Sequence, residues 1–238
     1  MELNEKVALI TGGSRGIGYG IAEALVDAGV RTAITGRNGK AVEEAAQRLN
    51  ERGNAEAMGI QADVRNFEEQ KEAVKQVMEA SGRLDILIAN AGLGHFGTIQ
   101  ELTHEQWQET IDTNLTGVFN SVKAALDYLI QYQGYVITIG SLAGANFFKG
   151  GSAYNASKFG ITGFSQAIML DLRQQGVKVS TIMPGSVTSH FNDHKPNADD
   201  AWKIQPEDIG EMVLSLLKLP PRTLPSKIEV RPAQPPGK

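Results

Sequence analysis

Val7-Ala8-Leu9-Ile10-Thr11-Gly12-Gly13-Ser14-Arg15-Gly16-Ile17-Gly18 is the stretch that decides the fold. Val7 to Ile10 is an unbroken apolar run, the pattern of a strand covered on both faces. Beyond the glycines, Ile21, Ala22, Leu25 and Val26 recur at helical spacing as far as Gly29, a helix stop. Strand, glycine-rich turn and helix in that order form a dinucleotide site. The glycines let backbone approach a pyrophosphate, and the helix N-terminus offers free N–H groups and a favourable dipole. Without the flanking strand and helix, the same glycines would read as a tight loop.

Outward from this unit, apolar runs alternate with amphipathic stretches. Strands are expected over 6–10, 31–35, 55–60, 84–89, 135–139, 177–182 and 227–230. Helices are expected over 16–28, 39–52, 67–80, 103–113, 115–131, 152–175 and 206–218. Thr103 with Gln106 reads as a capping box, and Pro206 suits a first helical position. The alternation predicts an α/β fold with a parallel sheet. At 238 residues and 41% apolar content the chain can bury one full core, so 1–238 reads as a single domain. The proline-rich end, 232–238, is expected to be flexible.

A second stretch carries chemistry. In Tyr154-Asn155-Ala156-Ser157-Lys158, phenol and ammonium stand one helical turn apart on one face. A neighbouring cation favours phenolate, and bringing a phenol from its ordinary pKa to neutrality takes about 4 kcal/mol. Lys158 is a source for part of it. Alone, such a pair is an ordinary solvated contact.

Composition excludes several classes. No apolar run is long enough to span a membrane, and Met1-Glu2-Leu3-Asn4-Glu5 lacks the pattern of a signal peptide. The chain has no cysteine, so disulfides and thiolate metal sites are out, which fits a cytoplasmic protein. His190 and His194 with Asp193 are too loosely spaced for a metal site. A net charge of −4 without a basic stripe argues against a nucleic-acid partner.

The turn Thr11-Gly12-Gly13-Ser14-Arg15-Gly16-Ile17-Gly18 resembles the TGxxxGxG of the short-chain dehydrogenase/reductase family. Ile88-Ala89-Asn90-Ala91-Gly92 resembles its NNAG motif with Ala89 in place of the first Asn. Asn114, Ser141 thirteen residues before Tyr154, and Pro184-Gly185 match further family positions. The resemblance implies a single-domain Rossmann fold with a seven-stranded parallel sheet flanked by helices on both faces. It implies cofactor contacts at Gly12, Ser14, Arg15, Gly16, Ile17, Gly18, Asp63, Val64, Asn90, Ala91, Gly92, Pro184, Gly185 and Val187. By resemblance, Tyr154 exchanges the proton with the substrate oxygen, and Lys158 lowers the Tyr154 pKa and holds the nicotinamide ribose. Ser141 donates to the same oxygen, and Asn114 holds a water that links Lys158 to solvent. The family's threonine five positions after the proline is Ser189 here, with Thr188 just before it; either hydroxyl could meet the nicotinamide.

Cofactor choice rests on the residues after the second strand. Gly36-Arg37-Asn38 offers no carboxylate for a ribose hydroxyl, while Arg37 and Arg15 offer two cations for a phosphate. NADP(H) is therefore expected over NAD(H). Phe96, Phe147, Phe148 and Phe191 are candidates for an apolar wall around a carbonyl or alcohol substrate, beneath a short lid at 186–205. A 3-oxoacyl-acyl-carrier-protein reductase is the alternative. However, Gln131-Tyr132-Gln133 and Gln174-Gln175 lack the basic side chains that would dock an acidic carrier. A non-catalytic NADP(H) sensor is opposed by the intact Tyr154 and Lys158. The family's habits imply a homodimer or homotetramer formed through the helices at 103–131 and 152–175.

Overall fold

In the computed structural model, residues 3–189, 191 and 194–234 are described; His190, Asp193 and residues 235–238 of the expected tail lie outside them. Among the described residues, seven strands form one parallel sheet in the order β3-β2-β1-β4-β5-β6-β7. They are β1 (Val7–Thr11), β2 (Arg31–Gly36), β3 (Ala57–Gln61), β4 (Ile86–Ala89), β5 (Tyr135–Ile139), β6 (Lys178–Pro184) and β7 (Lys227–Val230). The register aligns Ile10 with both Ile34 and Ile88, and Ile139 with Ile182.

Side-chain alternation along the strands builds two apolar layers. Ala8, Ile10, Ile86 and Ile88 face one layer, which helices α1 (Gly16–Asp27), α2 (Gly39–Asn50) and α7 (Pro206–Lys218) close. Val7, Leu9, Leu87 and Ala89 face the other, closed by α3 (Phe67–Ser81), α5 (Gly117–Gln131) and α6 (Ser152–Leu172). Helices on both faces explain why β1, β4 and β5 are buried along their whole length and read as nearly continuous apolar runs. At the amino edge of the sheet, Asp85 is 1% exposed and binds Lys6 at 2.9 Å, Arg83 at 2.6 and 2.7 Å and the Val7 N–H at 3.1 Å.

The expected caps are present. Thr103 and Gln106 exchange bonds at 3.0 and 3.2 Å ahead of α4 (His104–Ile111), and Pro206 opens α7. Two boundaries are corrected. The expected helices 103–113 and 115–131 are one path, because a π-helical turn, Asp112–Thr116, joins α4 to α5. The helix expected over 152–175 ends at Leu172, tightens into a 3₁₀ turn over Arg173–Gln175 and stops at the left-handed Gly176. Strand order reverses between β1 and β4, where an open parallel sheet leaves a crevice at its carboxyl ends.

Candidate active site

The crevice is a cleft of about 1010 Å³. Gly12, Ser14, Arg15, Gly16 and Ile17 line one side, with Arg37, Asp63, Val64, Asn90, Ala91 and Gly92 beyond them. Ser141, Tyr154, Lys158, Pro184, Gly185, Val187 and Ser189 line the other end. Of the expected site residues, Gly18, Phe96, Asn114 and Thr188 do not line the cleft.

Gly18 acts by closeness. A methyl group there would lie 2.4 Å from Gly12 O and 2.5 Å from Asn90 Nδ2. Gly12 has φ +67°, a left-handed conformation that favours glycine. Asn90 donates from Nδ2 to Thr11 O at 2.9 Å and Gly12 O at 3.0 Å, tying β4 to the glycine turn. Thr11 Oγ1 accepts the N–H groups of Asn90 and Ala91, both at 3.1 Å. The start of α1 has no side-chain cap and no acidic residue in its first turn among the described residues, whereas α2, α3 and α4 are capped by Asn38, Asn66 and Thr103. Uncapped N–H groups, a backbone that can be approached closely and a cleft of this size fit a dinucleotide pyrophosphate. Further along the cleft, Thr113 Oγ1 is buried without a hydrogen-bond partner among the described residues.

At the other end, Tyr154 and Lys158 share the first two turns of α6, with Lys158 Nζ 5.6 Å from the Tyr154 ring centroid. Lys158 is 5% exposed and donates to Ile139 O at 3.1 Å. Burial drops its pKa to about 8. Burial also pushes the Tyr154 phenol up, and the Ser141 hydroxyl pulls it only part of the way back. Burial thus works against the lowering expected from Lys158. The cause is apolar surroundings: Phe96, Phe191 and Phe148 stand with ring centroids 5.3, 5.6 and 6.5 Å from that of Tyr154. Phe147, the fourth expected wall residue, instead stacks on Phe159 at 5.0 Å while still bordering the cleft.

Ser141 Oγ accepts from Ala143 N at 3.1 Å, which leaves its own O–H free to donate. Asn114 sits in the π-helical turn and clamps Leu93, accepting from its N–H and donating to its C=O, each at 2.8 Å. It also donates to Ser157 Oγ at 3.0 Å. A methyl group at Gly92 would lie 3.3 Å from Asn114 Oδ1 and 3.7 Å from Lys158 Nζ, so both atoms border the space that glycine leaves open. The choice between Thr188 and Ser189 is a matter of direction. Thr188 is buried, its hydroxyl engaged by Asp200 O at 3.3 Å and Gln205 Nε2 at 3.2 Å, whereas Ser189 lines the cleft.

Sequence reasoning misses several cleft residues. His194 and Lys203 line it while both hold Asp200 at 2.5 Å, and Arg231 lines it beyond the end of β7. Arg37 is not a free cation: its Nη1 lies 3.5 Å from Glu109 Oε1 on α4. Burial works to raise Asp63, but its bonds to Arg65 win and hold the carboxyl below the usual range. Glu109 is likewise lowered, chiefly by its bond to His95.

The family model for short chain dehydrogenases matches residues 6–200, and the chain belongs to that family. It is 34% identical to an uncharacterized oxidoreductase of Staphylococcus saprophyticus, over 98% of this chain and 99% of that protein. Among solved structures it resembles an alcohol dehydrogenase from the archaeon Thermococcus sibiricus complexed with 5-hydroxy-NADP. That match has 33% identity and a TM-score of 0.91, and covers 98% and 99% of the two chains. It also resembles a short chain dehydrogenase from Burkholderia cenocepacia in complex with NADP, with 29% identity, a TM-score of 0.88, and 97% and 98% coverage. The chain is an oxidoreductase with the Rossmann-like sheet of this family.

Proposed function

We propose that this oxidoreductase uses NADP(H) to interconvert a ketone or aldehyde with the corresponding alcohol. One observation carries the reading. A single cleft runs from Arg37, where β2 ends without a carboxylate, to Tyr154, Ser141 and Lys158. A bound nicotinamide would supply or accept the hydride. The chain manages the proton. Tyr154, kept protonated by its aromatic surroundings, donates to the carbonyl oxygen during reduction. Ser141 donates a second hydrogen bond to that oxygen, and its direction is preset by Ala143. Lys158, fixed by the Ile139 carbonyl, keeps its ammonium close to the phenol and to the space beside Gly92. Asn114 Oδ1 borders the same space, a place for a water that returns the proton from solvent.

The reading extends to one catalytic domain over 1–238 with 186–205 as its lid, and to a cytoplasmic location supported by the cysteine-free composition. Among the described residues no helix is long and apolar enough to cross a membrane. Trp107 on α4, Phe119 on α5 and Leu170 on α6 are 38%, 50% and 54% exposed, which supports pairing of subunits through these helices. The test is the initial rate of NADPH and NADH oxidation over diketones, aromatic aldehydes, keto esters, steroids, sugars and a 3-oxoacyl thioester. Turnover with NADPH on one group is expected. Tight NADPH binding without turnover on any member would overturn the reductase reading in favour of a sensor.

A further inference from the structure

Side chains from three segments meet the carboxylate of a fourth beside the cleft, where Arg37, Asp63 and Val64 line it. Arg37 follows β2, Arg65 follows β3, His95 lies beyond β4, and Glu109 projects from α4. Arg37 Nη1 and Arg65 Nη1 approach the same atom, Glu109 Oε1, at 3.5 and 3.6 Å. The other oxygen, Oε2, is 2.8 Å from His95 Nε2. Arg65 is divided between two acids. Its Nε and Nη2 hold Asp63 at 2.6 to 3.0 Å, which leaves Nη1 for Glu109. An oxygen held between two guanidinium groups is in the position of a phosphate oxygen in an arginine clamp.

We propose that Glu109 is an internal competitor for the 2′-phosphate of NADP(H) that Arg37 and Arg15 are expected to receive, with Arg65 as a further arm of that receptor, and that the phosphate displaces Glu109 on binding. The inference rests on the NADP(H) reading above. A phosphate monoester carries close to two charges and three acceptor oxygens against the single charge of a carboxylate, so the exchange runs toward phosphate. Glu109 then keeps His95 as a partner and is not stranded. The ribose hydroxyl of NAD(H) carries no charge and cannot compete with Glu109 for two cations. The carboxylate therefore screens the clamp from the wrong cofactor and also weakens the right one.

The adenosine half tests this without any turnover. Dissociation constants for 2′,5′-ADP and for 5′-AMP, which lacks the 2′-phosphate, are measured calorimetrically on wild type, Glu109→Gln and Arg65→Gln. Circular dichroism checks that each variant is folded. Wild type should prefer 2′,5′-ADP. Glu109→Gln should tighten 2′,5′-ADP by about two- to fivefold, the scale of an exposed ion pair released, with 5′-AMP unchanged. Arg65→Gln should weaken 2′,5′-ADP by about tenfold and spare 5′-AMP. Weaker 5′-AMP in Glu109→Gln would overturn the proposal and make Glu109 a ribose ligand. Unchanged 2′,5′-ADP affinity in either folded variant would also overturn it. Equal binding of the two ligands by wild type would instead sink the NADP(H) reading itself.

Discussion

Replacing Gly18 with alanine probes how the cradle holds its shape. The added methyl group would lie 2.4 Å from Gly12 O and 2.5 Å from Asn90 Nδ2. Neither atom can yield freely. Gly12 O belongs to the backbone and accepts from Asn90 Nδ2, which is also held by Thr11 O. To restore ordinary contact, the glycine turn and the start of α1 must part by about 1 Å. A displacement of that size in a preorganised site costs about a hundredfold, or about 2.7 kcal/mol. The overpacking itself should remove about 1–3 kcal/mol of stability. The assay pairs calorimetric NADPH binding with urea unfolding followed by circular dichroism. A folded Gly18→Ala variant that binds NADPH within a factor of about three of wild type would refute the claim that this contact shapes the phosphate cradle.

Three further outcomes follow from the geometry. Tyr154→Phe should lower turnover by about 10²- to 10⁴-fold while NADPH still binds; undiminished turnover would remove Tyr154 as the proton donor. Lys158 is held at about 8 in the folded chain against an unperturbed 10.5. The unfolded chain therefore binds more protons between those values, and stability should rise with pH across that window, by about 3 kcal/mol in full. Lys158→Met should lack that rise, so urea midpoints at about pH 7.5 and about pH 9.5 that shift equally in both proteins would count against it. Asp85→Ala leaves the Val7 N–H without its acceptor and two cations without their anion. Because Lys6 and Arg83 reach solvent, the expected loss is about 2–3 kcal/mol, read from urea unfolding, and a midpoint equal to wild type would contradict it.

The sequence makes the central strands legible because burial on both faces leaves nearly unbroken apolar runs at Val7–Thr11, Ile86–Ala89 and Tyr135–Ile139. The edge strand β3 is less so. It is expected at 55–60 and found at Ala57–Gln61, where half-exposed side chains and Gly59 blur the pattern. Spacing along α6 places Tyr154 beside Lys158, but it carries nothing about the apolar rings that oppose the cation: Phe96, Phe148 and Phe191 arrive from three separate loops. The link from Arg37 to Glu109 joins residues 72 apart, and such contacts leave no periodic trace. Neither does the fifth residue of the turn that holds Asn114, which the sequence reads as a break between two helices.

That wide turn sets selection for a durable protein against selection for a working one. The five-residue hydrogen-bonded loop at Asp112–Thr116 is a rare form that regular helix would outcompete on local energy. Deleting a single residue there would restore the even spiral and remove the widening that presents Asn114 to Leu93 and Ser157. A screen that rewarded heat resistance alone would be free to accept such a deletion, and, on the proton path proposed above, the survivors would be sturdy chains that lack Asn114 at its post.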